Sequence, residues 1–337
     1  MTRIKNNVLC PLVALAAFIA TTAVIHSLLP PIIPKGVAAK LKFFARHKDE
    51  FDTLLVGTSS IYYSVSPEIF DQITSENGLP TRTFNFGIDA MHPPENFYVL
   101  DQILKTEPRR LKWVFLETAS LETKLHKVLG TERAVYWHDW ARTALILRKA
   151  LNPRGDARWY IQISRLWVAR RDLVTHLTLF AQRFANVGRA TEFFSPQNRM
   201  AEADLELGPR RDGYRLAGHA MTAEDAASFQ KRLAEETAQA KPKLLDPAAD
   251  DAYRSWAARF KARGAATLFV VPPLIFQSPL NFRQSTPGPL LSFNDARTYP
   301  TLFDTKVRID DAHLTKEGAE EFTRLLAHEF VRRVREP

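Results

Sequence analysis

Two serines stand where an apolar run ends, in Leu54-Leu55-Val56-Gly57-Thr58-Ser59-Ser60. A serine at a strand-to-helix turn projects its hydroxyl from the sheet edge, and its own N–H can stabilise an oxyanion. The hydroxyl is a weak nucleophile until a base takes its proton. Of the nine histidines, His313 is the best candidate base. It lies in Asp310-Asp311-Ala312-His313-Leu314, just before Thr315, the expected N-cap of the last helix. Asp310, three residues earlier, is spaced so that a tight turn can bring its carboxylate to Nδ1, fix the tautomer and stabilise the imidazolium. Asp311 is its rival for that role. The plainer reading of Ser59 and Ser60 is an ST-turn that only caps the helix start.

The elements that must position these residues alternate along the chain. Thr53 to Val56 reads as a strand buried on both faces and ended by Gly57. Ser66 with Pro67 opens a helix carrying Ile69, Phe70 and Ile73; Thr83 to Phe86 is a second strand stopping at Gly87. Pro93 and Pro94 open the next helix, and Trp113 to Leu116 is a third strand. This alternation predicts an α/β fold with a doubly wound parallel sheet, in which ligands collect at the carboxyl ends of the strands. Ser59, Gly87 and Glu117-Thr118 all fall there.

From about 121 to 216 the strand pattern lapses into helical faces, a helical insertion whose tryptophans read as core and interface anchors. Thr222 and Asp246 then start two helices, Ala265 to Val271 is a fourth strand, Thr305 to Ile309 is a short strand candidate, and Thr315 caps a final amphipathic helix. Arg308, near the histidine, is a candidate for binding an anionic substrate or for a surface ion pair.

The first forty residues differ from the rest. Val8 to Leu29 carries no charged residue apart from His26, and about 22 helical residues just span a bilayer core. Arg3 and Lys5 precede it, so the positive-inside rule places the short N-terminus in the cytoplasm and the remainder across an inner membrane, in the periplasm. The expected organisation is a cytoplasmic tip, transmembrane anchor and linker over 1–40, then one α/β domain over 41–337. A cleaved signal peptide is the competing reading, against which stand the length of the apolar stretch and the lack of a small-x-small site in Ser27-Leu28-Leu29-Pro30-Pro31. Cys10, the single cysteine, excludes an internal disulfide. The formal net charge is +9, and the basic stretch from Thr131 to Arg215 suits either anionic lipid or solvated helix faces. No aromatic-interleaved basic repeat points to nucleic acid, and no histidine or cysteine spacing points to a metal or cofactor.

Gly57-Thr58-Ser59, Asn85-Phe86-Gly87 and Asp310-Asp311-Ala312-His313-Leu314, followed by Gly318-Ala319, resemble blocks I, II and V of the SGNH (GDSL-like) hydrolase superfamily, in order over most of the chain. The closest similarity is to its periplasmic, single-anchor members, the relatives of alginate O-acetylation and D-alanyl transfer proteins. The resemblance implies a flavodoxin-like sheet, Ser59 as nucleophile, His313 as base, Asp310 as its orienter, and the N–H groups of Ser59 and Gly87 as oxyanion donors. It departs from the family where Thr58 replaces an Asp and where Glu117-Thr118-Ala119-Ser120 stands in place of the block III Asn. Thr118 or Ser120 would then be the substitute third donor, and a Glu117 carboxylate would repel the oxyanion. The implied activity is a membrane-anchored serine esterase or O-acyltransferase acting on a cell-envelope saccharide or polymer through an acyl-serine. The alternative is a catalytically weak accessory subunit of an envelope assembly complex. An integral membrane acyltransferase is the candidate protein partner of either.

Overall fold

The computed structural model describes residues 2–29, 33–91, 93–122, 132–152, 158–186, 206–239, 241–275 and 280–336. Its strands in chain order are β1 (Thr53–Gly57), β2 (Thr83–Gly87), β3 (Trp113–Glu117), β4 (Lys243–Leu244), β5 (Ala266–Val271), β6 (Leu280–Asn281) and β7 (Leu290–Ser292). Five form one parallel sheet in the order β2-β1-β3-β5-β7, while β4 and β6 make a separate pair. Thr53 pairs with Thr83 and Gly57 with Gly87, so both glycines reach the carboxyl edge at one level.

Because side chains alternate along a strand, the apolar runs feed two cores. Leu54, Val56, Phe84, Phe86, Val114 and Leu116 face one way and Leu55, Phe115, Leu268 and Val270 the other. The helices before and between the strands are α1 (Thr2–Leu28), α2 (Lys35–His47), α3 (Ser59–Tyr62), α4 (Pro67–Glu76) and α5 (Pro93–Lys105). The insertion supplies α6 (Glu132–Val135), α7 (Trp140–Leu151) and α8 (Trp159–Ala185), and α9 (Ala223–Gln239), α10 (Pro247–Lys261) and α11 (Lys316–Arg335) follow. The first core takes its helical side from α2, α5 and α10, the second from α4 and α11. Helices cover both faces, which makes the sheet doubly wound. Phe330 of α11 meets Phe70, Trp113 and Phe115 with ring centroids 5.1–5.6 Å apart, locking α11 and its preceding loop to the sheet.

Capping fixes several helix starts as expected. Thr222 accepts from Asp225 N, Asp246 from Ala249 N, and Thr315 from Gly318 N. Ser66 precedes α4 without a side-chain cap bond, and its N–H donates instead to Thr323 of α11.

The strand expected over Thr305 to Ile309 is absent. Thr305–Val307 is a 3-10 turn started by Asp304, which accepts from Lys306 N, and only Arg308 bridges to Leu314. The edge strand is β7 instead, taken from the Pro- and Ser-rich loop and pinned by Phe269 N to Pro289 O and Phe293 N to Val271 O. Three residues are too few to show a period of two.

In α1, Leu9–Leu28 is long and apolar enough to cross a membrane. In α2, Val37 and Lys40 are buried in the same core as Leu41 and Phe44, so the division at residue 40 falls inside one packed helix. Of the insertion's tryptophans, Trp137 is buried while Trp140 and Trp167 are exposed.

Candidate active site

Ser59 is the first residue of α3, directly after the end of β1. Three features set that turn. Gly57 leaves room where a methyl group would run into Glu117 Oε2 and Ile61. Thr58 is the N-cap, its Oγ1 accepting from Ser60 N at 3.1 Å. Glu117, from the end of β3, accepts from Thr58 N at 2.5 Å and from Thr58 Oγ1 at 3.0 Å. The N–H of Ser59 has no acceptor among the described residues.

Asn85 ties α3 to β2. Its Nδ2 donates to Ile61 O and Val65 O at 2.9 and 2.8 Å, and Gly87 N donates to its Oδ1 at 2.8 Å. A side chain at Gly87 would collide with the backbone of Tyr62, so the glycine lets α3 sit against the strand end.

His313 reaches this turn across more than 250 positions of sequence. Its Nε2 lies 2.8 Å from Ser59 Oγ and its Nδ1 lies 2.7 Å from Asp310 Oδ2. Asp310 Oδ1 also accepts from Ala312 N at 2.7 Å and His313 N at 2.8 Å, a tight turn held by the carboxylate itself. Desolvation would raise the Asp310 carboxyl, but the His313 side chain and these N–H donors outweigh it and hold it down to about 2. With Asp310 anionic and on Nδ1, the proton of neutral His313 sits on Nδ1, leaving Nε2 to accept from Ser59. The Tyr63 ring stands edge-on to His313 at 5.7 Å. The rival Asp311 points elsewhere, its carboxylate pairing with Arg232 at 2.8 Å.

The oxyanion donors are less complete. Gly87 N–H, expected to face the oxyanion, is turned to Asn85 Oδ1. Thr118 is fully buried and its hydroxyl donates to Leu116 O at 3.1 Å, while its N–H donates to Val270 O at 2.8 Å. Gly87 N–H and the Thr118 hydroxyl are thus engaged within the sheet edge, Ser120 is exposed, and Ser59 N–H remains.

Glu117 differs from its expected repulsive role in two respects. Its carboxyl is directed at Thr58 rather than into open space, and burial raises its pKa to about 7 against the opposing Thr58 hydrogen bonds, favouring the neutral form.

Three supporting residues were hidden in the sequence. Arg308 is buried rather than at the surface, and its guanidinium is taken up by backbone carbonyls. It donates to Asp310 O, Pro273 O, Leu302 O and Asp311 O at 2.8–3.0 Å, and burial lowers its pKa to about 10. Lys40, also buried, donates to Gly87 O, Asn85 O and Gly213 O at 2.5–3.2 Å and lies 3.7 Å from the Tyr62 ring centroid. Burial pushes its ammonium well below the usual value against the pull of Glu206 and Asp212. Its signal was readable, since Val37, Lys40, Leu41 and Phe44 share one helix face. In the sequence Asn85 is only one residue of the short motif Asn85-Phe86-Gly87. His92 and His126 lie outside the described residues.

Comparison of the chain with models of known protein families, with curated proteins and with solved structures gives no match.

Proposed function

We propose that the chain is a serine esterase or O-acyltransferase of the SGNH type, held at the periplasmic face of an inner membrane by α1 and acting on a cell-envelope saccharide or polymer. The observation that carries the reading is the unbroken hydrogen-bond chain from Ser59 Oγ through His313 to Asp310. The sheet order and the placement of Gly57-Thr58-Ser59 and Gly87 at adjacent strand ends support it.

In this mechanism Ser59 Oγ attacks an acyl carbonyl carbon as His313 Nε2 takes its proton. Asp310 stabilises the imidazolium, and the carbonyl oxygen, now anionic, accepts from Ser59 N–H. Collapse expels the donor's leaving group, which takes the proton from His313, and leaves the acyl ester on Ser59. A saccharide hydroxyl or water then attacks that ester, giving its proton to His313. On collapse His313 passes that proton to the departing Ser59 Oγ, which restores the free serine and neutral histidine.

The test uses the full chain in detergent with an aryl acetate. Ser59→Ala and His313→Ala are each expected to reduce turnover to background with unchanged circular dichroism, and turnover at the parent rate in both would overturn the reading.

A second reading, an accessory subunit with a weak site, is favoured by the commitment of Gly87 N–H and the Thr118 hydroxyl to internal acceptors. Losing an oxyanion donor costs roughly two to three powers of ten in turnover. A fluorophosphonate that labels Ser59 supports the enzyme; absence of labelling with co-purification of an integral membrane acyltransferase supports the subunit.

A further inference from the structure

The helix α8 carries an exposed apolar face. Its C-terminal half is anchored, with Leu173, His176 and Leu179 buried. On another side, Tyr160, Ile163, Trp167, Val174 and Leu177 recur at helical spacing, and all are exposed, Trp167 at 70%. A contiguous apolar stripe of this kind is uncommon on a surface that meets only water. Arg170 and Arg171 are exposed on the same side, and the Arg170 guanidinium lies 5.7 Å from the Trp167 ring centroid. Over its length α8 has four arginines against one aspartate. Tryptophan, tyrosine and arginine on one helix face is the composition of a membrane–water interface.

The position of α8 relative to α1 says where such an interface would be. From Leu9 to Thr21 every residue of α1 is exposed; burial begins only at Thr22 and His26, in the last turns. There the His26 ring lies 5.8 Å from Phe184 at the end of α8. Rings continue from that contact through Phe180, 6.4 Å from Phe184, to the exposed Trp140, 5.8 Å from Phe180. A helix running back alongside α1 would cover it, whereas α8 meets α1 only at its domain-side end. In a chain whose α1 spans the bilayer, the α1–α8 contact lies at the headgroup level on the domain side.

We propose that the exposed face of α8, together with Trp140, lies on the surface of a bilayer with anionic headgroups and forms a second attachment of the domain beside α1. The inference rests on α1 being the membrane anchor, as in the function proposed above. Two attachments would fix the tilt of the sheet, and with it the direction in which the Ser59 edge opens.

The single cysteine makes the two readings separable. In the full chain, a nitroxide on native Cys10 reports on α1; in a Cys10→Ser background, Ile163→Cys, Trp167→Cys and Val174→Cys report on the α8 face, with Lys261→Cys, exposed on α10, as the aqueous control. The proteins are reconstituted in phosphatidylethanolamine–phosphatidylglycerol vesicles, and collision with oxygen is compared with collision with a water-soluble nickel chelate. Oxygen is expected to exceed the chelate several-fold at all three α8 positions and to fall below it at Lys261→Cys. The contrast at Trp167→Cys is expected to shrink in phosphatidylcholine vesicles; an unchanged contrast would overturn the requirement for anionic headgroups. Chelate collisions matching the control at all three α8 positions, with Cys10 in lipid, would overturn the surface and leave the anchor standing. Protection from both reagents would mean that protein covers the face, and would overturn it too. An aqueous signal at Cys10 would overturn the anchor itself.

Discussion

The serine turn and the histidine loop are held in opposite ways. Around Ser59 the positioning groups sit on the strand ends themselves: Gly57 gives space, Thr58 caps, Glu117 at the end of β3 holds Thr58, and Asn85 of β2 clamps the following helix. The histidine loop has one 3-10 turn and one isolated bridge, yet four of the carbonyls around it converge on the buried Arg308. A turn between a strand and a helix inherits most of its hydrogen bonds from those elements. A loop between them does not, and its buried carbonyls need donors from elsewhere. The guanidinium supplies five N–H groups in a fixed fork, which few other side chains could replace. The serine half buries Glu117 and Lys40 and the histidine half Arg308, and burial pushes each toward its neutral form.

The comparison is tested most severely at Asp310. In Asp310→Asn, one oxygen can still accept from the Ala312 and His313 N–H groups, but the amide nitrogen facing Nδ1 would favour the wrong imidazole tautomer. Turnover is expected to fall by about four powers of ten with the fold retained, as in the serine–histidine–aspartate template. A loss smaller than tenfold would show that backbone contacts alone orient His313.

Arg308→Met should come next. It strands buried carbonyls and is expected to destabilise the chain by about 3–5 kcal/mol, the usual range when one partner of a buried ionic or hydrogen-bonded set is removed. Displacement of His313 by about 1 Å would reduce turnover a further ~100-fold in the fraction that folds. Thermal unfolding and turnover per folded molecule measure the two effects separately. Arg308→Lys should rescue neither fully, because an ammonium cannot reach carbonyls from three separate segments at once. Equal turnover in parent and variant would mean that the turn closed by Asp310 holds His313 without the guanidinium.

Glu117→Gln probes the other half and should be gentler. The amide can accept from Thr58 N through its oxygen and donate to Thr58 Oγ1, so turnover should change by less than tenfold. The sign of the pH effect is distinctive. A carboxyl whose pKa rises from 4.5 to about 7 on folding binds more protons in the native state, so its contribution to stability is lost as pH climbs between those values. For a fully buried group that loss is on the order of 3 kcal/mol. The parent should lose stability between about pH 4.5 and 7 relative to Glu117→Gln. Parallel curves for the two proteins would place Glu117 in a more polar setting than the sheet edge described above.

The same contrast explains what the sequence disclosed. β1, β2, β3 and β5 were legible because short segments rich in apolar residues alternate with helix signals, and β1, β2 and β5 stop at a glycine or proline. The serine turn was legible for the same reason, since its position follows from where a strand ends. β7 was not, being three residues in a loop rich in turn formers. Arg308 reads as solvated because a lone basic residue nearly always is. Although Lys40 shares a helix face with Val37, Leu41 and Phe44, nothing local announces the carbonyls that arrive at either from distant segments. The Asn85 bond to Gly87 N–H was equally invisible: sequence gives a donor's presence but not the acceptor that has already taken it.

The smallest expected effect separates two neighbouring aspartates. Asp310 and Asp311 are adjacent, and both give their backbone carbonyls to Arg308. Only Asp310 turns its carboxylate to His313; that of Asp311 meets Arg232 at the exposed surface. Asp311→Asn keeps the carbonyl and removes only a solvent-screened charge pair, so turnover should stay within about twofold of the parent, in line with the small worth of exposed ion pairs. The thermal midpoint should also be nearly unchanged. If Asp311→Asn instead reduces turnover as far as Asp310→Asn, the loop must exchange its two carboxylates during the reaction. Arg308 could then not be holding a single arrangement, and the distinction between a locally built turn and a loop pinned by one side chain would fail at its most specific point.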